Sequence, residues 1–238
     1  MKCFLTSSPV LSDTNKLNPA NGFLDKLKIC IPPTCKTLFI CSDPDSHERT
    51  VRFAEAVKES FESAGFCFDR FTVLDGQNQK EAADWIYQAD LIILAGGHVP
   101  TQNRFFSSIH LKNLLHTFQG TLIGISAGSM NSAETVYAQP ELEGEATDPT
   151  YQKYLQGLGL TDKMILPHYQ LIKDLILDGL RVMEDITYHD SYGKQFYALP
   201  DGSYLYIDEK IQTICGEAYL ITDGKLSQIS QAGKCITI

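Results

Sequence analysis

Short apolar runs with strand character alternate with helical patterns through the first half of the chain, and this alternation most constrains the fold. We predict strands in "KCFLTS", "KTLFICS", "CFDRFTVL", "DLIILAGG" and "TLIGIS". Helices are predicted in "FLDKLKI", over residues 46–64, in "KEAADWIYQA" and in "NRFFSSIHLKNLLHTF". This order is typical of a mainly parallel sheet that is covered by helices on both faces. The sequence therefore predicts an α/β fold.

The second half of the chain has a different pattern. Residues 139–152, "QPELEGEATDPTYQ", carry four acids in their first ten positions and show no helical or strand period, so we expect an exposed loop. The short apolar run "KMILPHY" follows, and then a helix is predicted over residues 171–186. Near the C-terminus, β-prone runs are separated by "PDGS" and "TDGK", which we interpret as hairpin turns. No linker interrupts the pattern, and we expect one domain over residues 1–238.

Composition excludes several classes of function. The formal net charge of −9 disfavours nucleic acid and anionic membranes as partners. The N-terminus lacks a signal-peptide pattern and no run approaches the roughly 20 apolar residues of a membrane span, so we expect a cytoplasmic protein. The seven cysteines form no C-x-x-C pair and no histidine completes a site at Cys30 and Cys35, so we predict no metal. No phosphate-binding glycine motif implies a cofactor, and a homodimer stays open.

The stretch "GISAGSM" holds the first candidate for chemistry. Ser126 lies between two glycines directly after the predicted strand "TLIGI". Gly96 and Gly97 end the preceding predicted strand. Because the carboxyl ends of neighbouring parallel strands meet in one crevice, a serine hydroxyl and glycine N–H groups can face the same space. Acyl transfer needs this combination of a nucleophile and oxyanion donors, although an ordinary strand-to-helix turn has the same pattern.

A serine nucleophile needs a base, and the chain has six histidines. Three of them follow strand-like runs and can reach the crevice: His47, His98 and His168. His47 lies at a predicted helix start, where capping or solvent exposure is expected. His98 directly follows the glycine pair and is better placed to line a substrate pocket. We therefore favour His168 as the base, because Pro167 restricts the turn that holds it.

With these motifs in this order, the chain resembles the dipeptidase E and cyanophycinase family of serine peptidases. The stretches that carry the resemblance are "LAGGHVPTQ", "GISAGSM", "LPHY" and "ALPDGSYL", in the family's order from Lys36 to about Asp208. The resemblance implies a three-layer α/β/α sandwich akin to the class I glutamine amidotransferases, with serine in place of cysteine. It also implies hydrolysis of small peptides, without a cofactor.

The resemblance implies specific roles. Ser126 is the expected nucleophile, His168 the general base, and the N–H groups of Gly97 and Ala127 the oxyanion donors. The third member of the triad is expected in the loop after the elbow helix. Counting forward favours Glu141, and two further acids lie almost as close, Glu143 and Glu145.

Two departures from the family affect substrate choice. The dipeptidases carry Asn-Thr after the glycines, whereas this chain has "HVPT", and their arginine-rich segment is replaced by "YQLIKDLILDGLRVMED". An acidic preference is therefore not predicted. The expected substrate-binding residues are His98, Gln102 and Arg104, and Arg181 stays a further candidate for a substrate carboxylate. A catalytically inactive binding or regulatory module on the same fold is the alternative.

Overall fold

The computed structural model describes residues 1–238, and most of its ordered elements are β-strands. The strands are β1 (Lys2–Thr6), β2 (Thr34–Ile40), β3 (Cys67–Leu74), β4 (Leu91–Leu94), β5 (Thr121–Ile125), β6 (Thr135–Tyr137), β7 (Tyr154–Gln156), β8 (Met164–Pro167), β9 (Ile176–Leu177), β10 (Leu180–Arg181), β11 (Gln195–Leu199), β12 (Tyr204–Asp208), β13 (Ile211–Cys215), β14 (Ala218–Thr222), β15 (Lys225–Ser230) and β16 (Cys235–Thr237).

Eight strands form the central sheet, in the order β16-β13-β12-β1-β5-β4-β2-β3. The five strands from β1 to β3 in this order run parallel to one another. Strands β12, β13 and β16 continue the sheet in antiparallel pairings beyond β1. The prediction of a mainly parallel sheet with antiparallel C-terminal strands is confirmed.

Helices cover both faces of this sheet. They are α1 (Phe23–Cys30), α2 (His47–Ser63), α3 (Ala82–Gln88), α4 (Val99–Ser108), α5 (Leu111–Leu115), α6 (Ala127–Met130), α7 (Tyr169–Ile172) and α8 (Tyr188–Asp190), with 3₁₀ turns at Ala20–Gly22 and Gln79–Glu81 and a π-helix at Val182–Thr187. Apolar residues of α1 and α2 form one buried cluster with the sheet, and those of α3, α4 and α5 form another. The architecture is therefore a three-layer α/β/α sandwich, and none of its helices is long and apolar enough to span a membrane.

A smaller sheet lies beside the sandwich, in the order β15-β14-β11-β8. Within it, β8 and β11 are parallel, and Pro167 pairs with Leu199 at their carboxyl ends. The "TDGK" stretch makes the predicted hairpin turn between β14 and β15, with positive φ at Asp223 and Gly224. The "PDGS" stretch does not, because it connects β11 of the smaller sheet to β12 of the central sheet.

Two predicted helices differ in the structure. The helix expected in "NRFFSSIHLKNLLHTF" is divided into α4 and α5 at His110, whose φ of +54° breaks the helical backbone. The helix expected over residues 171–186 is replaced by the short α7, the β9–β10 hairpin and the π-helix. Asp178 and Gly179 both have positive φ and form the hairpin turn, a local signal that prevailed over the helical spacing.

Candidate active site

Ser126 lies at the sharp bend between β5 and α6. Its φ of 49° and ψ of −109° lie outside the regions that a serine readily adopts. The bend is fixed because the Ser126 N–H donates to the carbonyls of Thr6 and Ser7, at 3.1 and 3.2 Å. A strained backbone that is held by neighbouring strands is typical of a nucleophile elbow.

The two glycines around this serine allow close packing. A Cβ on Gly124 would lie 2.8 Å from the backbone nitrogen of Ser129, and a Cβ on Gly128 would lie 2.5 Å from the carbonyl oxygen of Leu94. Neither glycine has positive φ, so the unusual dihedral angles belong to the serine itself. The glycines therefore let α6 pack directly against β5 and β4.

His168 follows β8 and contacts Ser126. Its Nε2 lies 2.9 Å from Ser126 Oγ, and its Nδ1 lies 2.7 Å from Asp201 Oδ1. Its backbone has a φ of +57°, and its N–H donates to Ser7 Oγ at 2.7 Å. Because a carboxylate can only accept, the pairing with Asp201 keeps the proton on Nδ1 and leaves Nε2 free to accept a proton from Ser126.

Asp201 comes from the turn between β11 and β12. Its Oδ1 also accepts a hydrogen bond from Ser7 Oγ at 2.6 Å, and its N–H donates to Gln170 Oε1 at 3.0 Å. Partial burial alone would raise the pKa of Asp201, but the hydrogen bonds from His168 and Ser7 outweigh it and hold that pKa below its usual value. The carboxylate is therefore kept ionised beside the imidazole.

The loop acids do not take this position. Glu141 accepts the N–H of Val99 at 3.0 Å, and Glu145 binds His98 Nε2 at 2.8 Å. Glu143 is exposed. The geometry thus corrects the expectation for Glu141, because the loop folds onto the start of α4 while the other side of the imidazole meets Asp201.

The glycine loop after β4 lies against Ser126. A Cβ on Gly96 would be 3.5 Å from Ser126 Cβ. The two segments therefore share one crevice, as expected for the carboxyl ends of neighbouring parallel strands. Neither the Gly97 N–H nor the Ala127 N–H has an acceptor within the protein. A Cβ on Gly97 would lie only 2.2 Å from Ser42 Oγ, so this loop position requires glycine.

The three expected substrate-binding residues have protein partners instead. His98 Nδ1 lies 2.8 Å from Thr101 Oγ1, and Arg104 Nη2 donates to the same oxygen at 3.1 Å. Gln102 is fully buried and donates to the Ala95 carbonyl at 2.7 Å. None of the three lines the cavity beside Ser126. Likewise, Arg181 is paired with Asp185 at 2.7 Å.

A cavity of about 430 Å³ opens at Ser126, His168 and Gly97 and extends between β2, α2 and the segment after β1. Its volume is in the range of about 300–1,000 Å³ that small-molecule sites occupy. Sequence reasoning missed Ser7, Arg49 and Asp201 in this region. Only Asp201 had a signal, since it lies in the "PDGS" stretch. No group of three or more metal-ligating side chains is arranged to hold an ion.

Comparison with known proteins identifies one matching family and two solved structures of similar fold. The model of peptidase family S51 matches residues 3–214. Among solved structures, a peptidase from an acI-B1 actinobacterium is 16% identical, with a TM-score of 0.63 over 100% of this chain and 96% of that one. A proposed peptidase E from Listeria monocytogenes EGD-e is 19% identical, with a TM-score of 0.60 over 96% and 98%. At these identities the likeness shows the fold, and no curated protein matches the chain.

Proposed function

Because the chain belongs to peptidase family S51, it is a serine-type peptidase of the dipeptidase E type, and we propose that it hydrolyses short peptides with a Ser126-His168-Asp201 triad. One observation carries the proposal. The imidazole of His168 lies within hydrogen-bond distance of a serine hydroxyl on one side, at 2.9 Å, and of a carboxylate on the other, at 2.7 Å. This is the arrangement that a nucleophile, its base and an orienting acid require.

The reaction follows from these contacts. His168 Nε2 takes the proton of Ser126 Oγ as the oxygen attacks the scissile carbonyl, and Asp201 stabilises the imidazolium that forms. The N–H groups of Gly97 and Ala127, which have no acceptor in the protein, donate to the oxyanion. The imidazolium then gives its proton to the leaving amine. Water, activated by the same imidazole, hydrolyses the acyl-enzyme and restores Ser126.

Short peptides are the substrates that the cavity favours. About 430 Å³ of space lies directly beside the nucleophile, between β2 and α2. A volume of this size holds a small ligand, whereas an unfolded polypeptide would need an extended groove on both sides of the serine.

The alternative, an inactive binding module, rested on two points: the third member of the triad was unclear, and the glycine loop departs from that of the peptidases. The hydrogen bond between Asp201 and His168 supports a complete triad and therefore favours the enzyme.

The test combines labelling with hydrolysis. A fluorophosphonate probe should modify one serine of the wild type, located by mass spectrometry at Ser126, and Ser126→Ala should not react. The same variant should lose hydrolysis of a panel of dipeptides and isoaspartyl peptides by several orders of magnitude, because nucleophile and base act as one unit. Equal thermal unfolding of the two proteins is the folding control. Peptide hydrolysis that persists in a folded Ser126→Ala variant would overturn the assignment.

A further inference from the structure

The cavity beside Ser126 has an apolar floor. Phe39, Val57 and Ile125 line it and are buried to 6% exposure or less, and Phe53 and Val10 add partly buried apolar surface. These five side chains carry neither a charge nor a hydrogen-bonding group. A carboxylate that reached this floor would lose its hydration without gaining a partner. The floor therefore fits an apolar side chain.

Arg49 lines the same cavity at its open side. It lies in the first turn of α2 and is exposed. It has no salt bridge and no side-chain hydrogen bond within the protein, although nine ion pairs are formed elsewhere. An arginine guanidinium with free N–H groups is suited to a carboxylate, which it can bind with two parallel hydrogen bonds.

Asp43 is the one acid that lines the cavity, and it already has partners. Its Oδ2 accepts a hydrogen bond from Ser46 Oγ at 2.6 Å, and its Oδ1 accepts one from the Asp45 N–H at 3.2 Å. These bonds belong to the turn that starts α2. Asp43 keeps its negative charge, because these donors are neutral, but its carboxylate oxygens are held by the turn. Arg49 is therefore the charged side chain lining the cavity whose polar groups have no partner in the protein.

A single chemical group combines an apolar side chain with an adjacent carboxylate, namely the C-terminal residue of a peptide. We propose that the cavity binds a large apolar C-terminal residue, with its side chain on the floor and its carboxylate against Arg49. This inference rests on the proposed function, since the bond to be cleaved is the one before that residue. Ser126 attacks the preceding carbonyl, the C-terminal residue leaves as a free amino acid, and water takes its place on the acyl group.

A dipeptide panel tests this placement. With wild-type protein, kcat/KM should be higher for Ala-Phe and Ala-Leu than for Phe-Ala, Ala-Asp or Asp-Ala, and amidation of Ala-Phe should lower it about tenfold or more. Arg49→Ala should lower kcat/KM for Ala-Phe by a similar factor and leave Ala-Phe amide unaffected. Arg52→Ala is the matched control, because Arg52 is exposed on the same helix and does not line the cavity.

A binding measurement separates this inference from the proposed function. Phenylalanine should slow fluorophosphonate labelling of Ser126 in the wild type, and should do so much less in Arg49→Ala. Phenylalanine amide should protect weakly in both proteins. Normal labelling with a preference for Phe-Ala or Asp-Ala would overturn the inference and leave the nucleophile intact. An equal effect of Arg49→Ala on the acid and the amide would do the same. Absence of hydrolysis of every peptide, with or without labelling, would instead refute the proposed function, and the inference with it.

Discussion

Replacement of Asp201 by asparagine removes one charge from the proposed triad and keeps its shape. In the structure, a single oxygen, Oδ1, accepts both the hydrogen bond from Ser7 Oγ and the one from His168 Nδ1. An asparagine whose amide oxygen takes this position retains both bonds. An asparagine turned the other way presents N–H₂ to the imidazole, which then carries its proton on Nε2 and cannot accept one from Ser126.

The expected loss of kcat follows from these two orientations. A hydrogen bond to a charged group contributes about 1.5–3 kcal/mol and a neutral one about 0.5–1.5 kcal/mol, so loss of the charge alone costs about 1–2 kcal/mol. At about 1.4 kcal/mol per factor of ten, kcat should fall about 5–30-fold while the correct tautomer is kept. The wrong tautomer costs about 10⁴-fold in other serine peptidases. Because Ser7 donates to the same oxygen, it favours the first orientation, and we expect the smaller loss.

The double variant Ser7→Ala/Asp201→Asn tests this reasoning, because it removes the hydroxyl that selects the orientation. Its kcat should fall further than the product of the two single effects, towards about 10⁴-fold. Steady-state kinetics on the best dipeptide should be measured for the wild type, the two single variants and the double variant, which form a double-mutant cycle. Thermal unfolding is the folding control. Glu143→Gln, an exposed change in the loop, is the control for loss of a carboxylate. Full activity of Asp201→Asn together with a large loss in Glu141→Gln would refute the assignment of Asp201.

Three further outcomes are expected. Because the hydrogen bonds from His168 and Ser7 hold the pKa of Asp201 below its usual value of about 3.9, its carboxylate stays ionised as the pH falls and is lost only below that value. The pH profile of kcat/KM should therefore show no step from Asp201 above about pH 4, and a step there that Asp201→Asn removes would contradict this. Gly97→Ala should lower kcat about 10²–10³-fold, as loss of one oxyanion donor does, because the added methyl group displaces the N–H of residue 97. Adding Ser42→Gly should restore part of the lost activity, because it removes the hydroxyl that would lie 2.2 Å from that methyl group. Gly128→Ala should lower the free energy of unfolding by about 1–3 kcal/mol in urea titrations, and an unchanged midpoint would contradict the packing role of this glycine.

The sequence predicted the fold and part of the site where a local pattern could be combined with one rule, that the carboxyl ends of neighbouring parallel strands meet in one crevice. The runs that become β1, β2, β4 and β5 contain the apolar, β-prone residues of buried strands, β3 forms the more exposed edge, and the order of these runs with the helices predicts the parallel sheet. Ser126 directly follows β5, His168 directly follows β8, and Gly97 follows β4 after Ala95 and Gly96. Because the carboxyl ends of strands converge, their meeting in one crevice could be anticipated without coordinates.

Substrate contacts were less predictable, because a polar side chain near the glycine loop can serve the fold. Gln102 directs its amide to the Ala95 carbonyl and receives a hydrogen bond from Asn131 Nδ2 at 3.0 Å. It thereby holds the start of α4 against the end of β4. Arg49, in contrast, lies in an ordinary amphipathic helix, and no local pattern distinguishes an unpaired arginine beside a cavity from a solvated one.

The position of the third member of the triad depends on how two strands pair, which local sequence pattern does not reveal. We expected it between Ser126 and His168, since the acidic loop lies there. The structure instead pairs β8 with β11 in parallel, and this pairing sets Pro167 directly opposite Leu199. The residues that follow these two positions must leave the sheet side by side, so His168 and the turn with Asp201 become neighbours. The rule that locates Ser126 beside Gly97 therefore also locates Asp201 beside His168, but only once "QFYAL" is recognised as the parallel partner of "MILP". Interpretation of "PDGS" as a hairpin turn gave "QFYAL" an antiparallel neighbour in the next strand, which the structure places in the central sheet instead, and so offered no reason to look for a parallel partner.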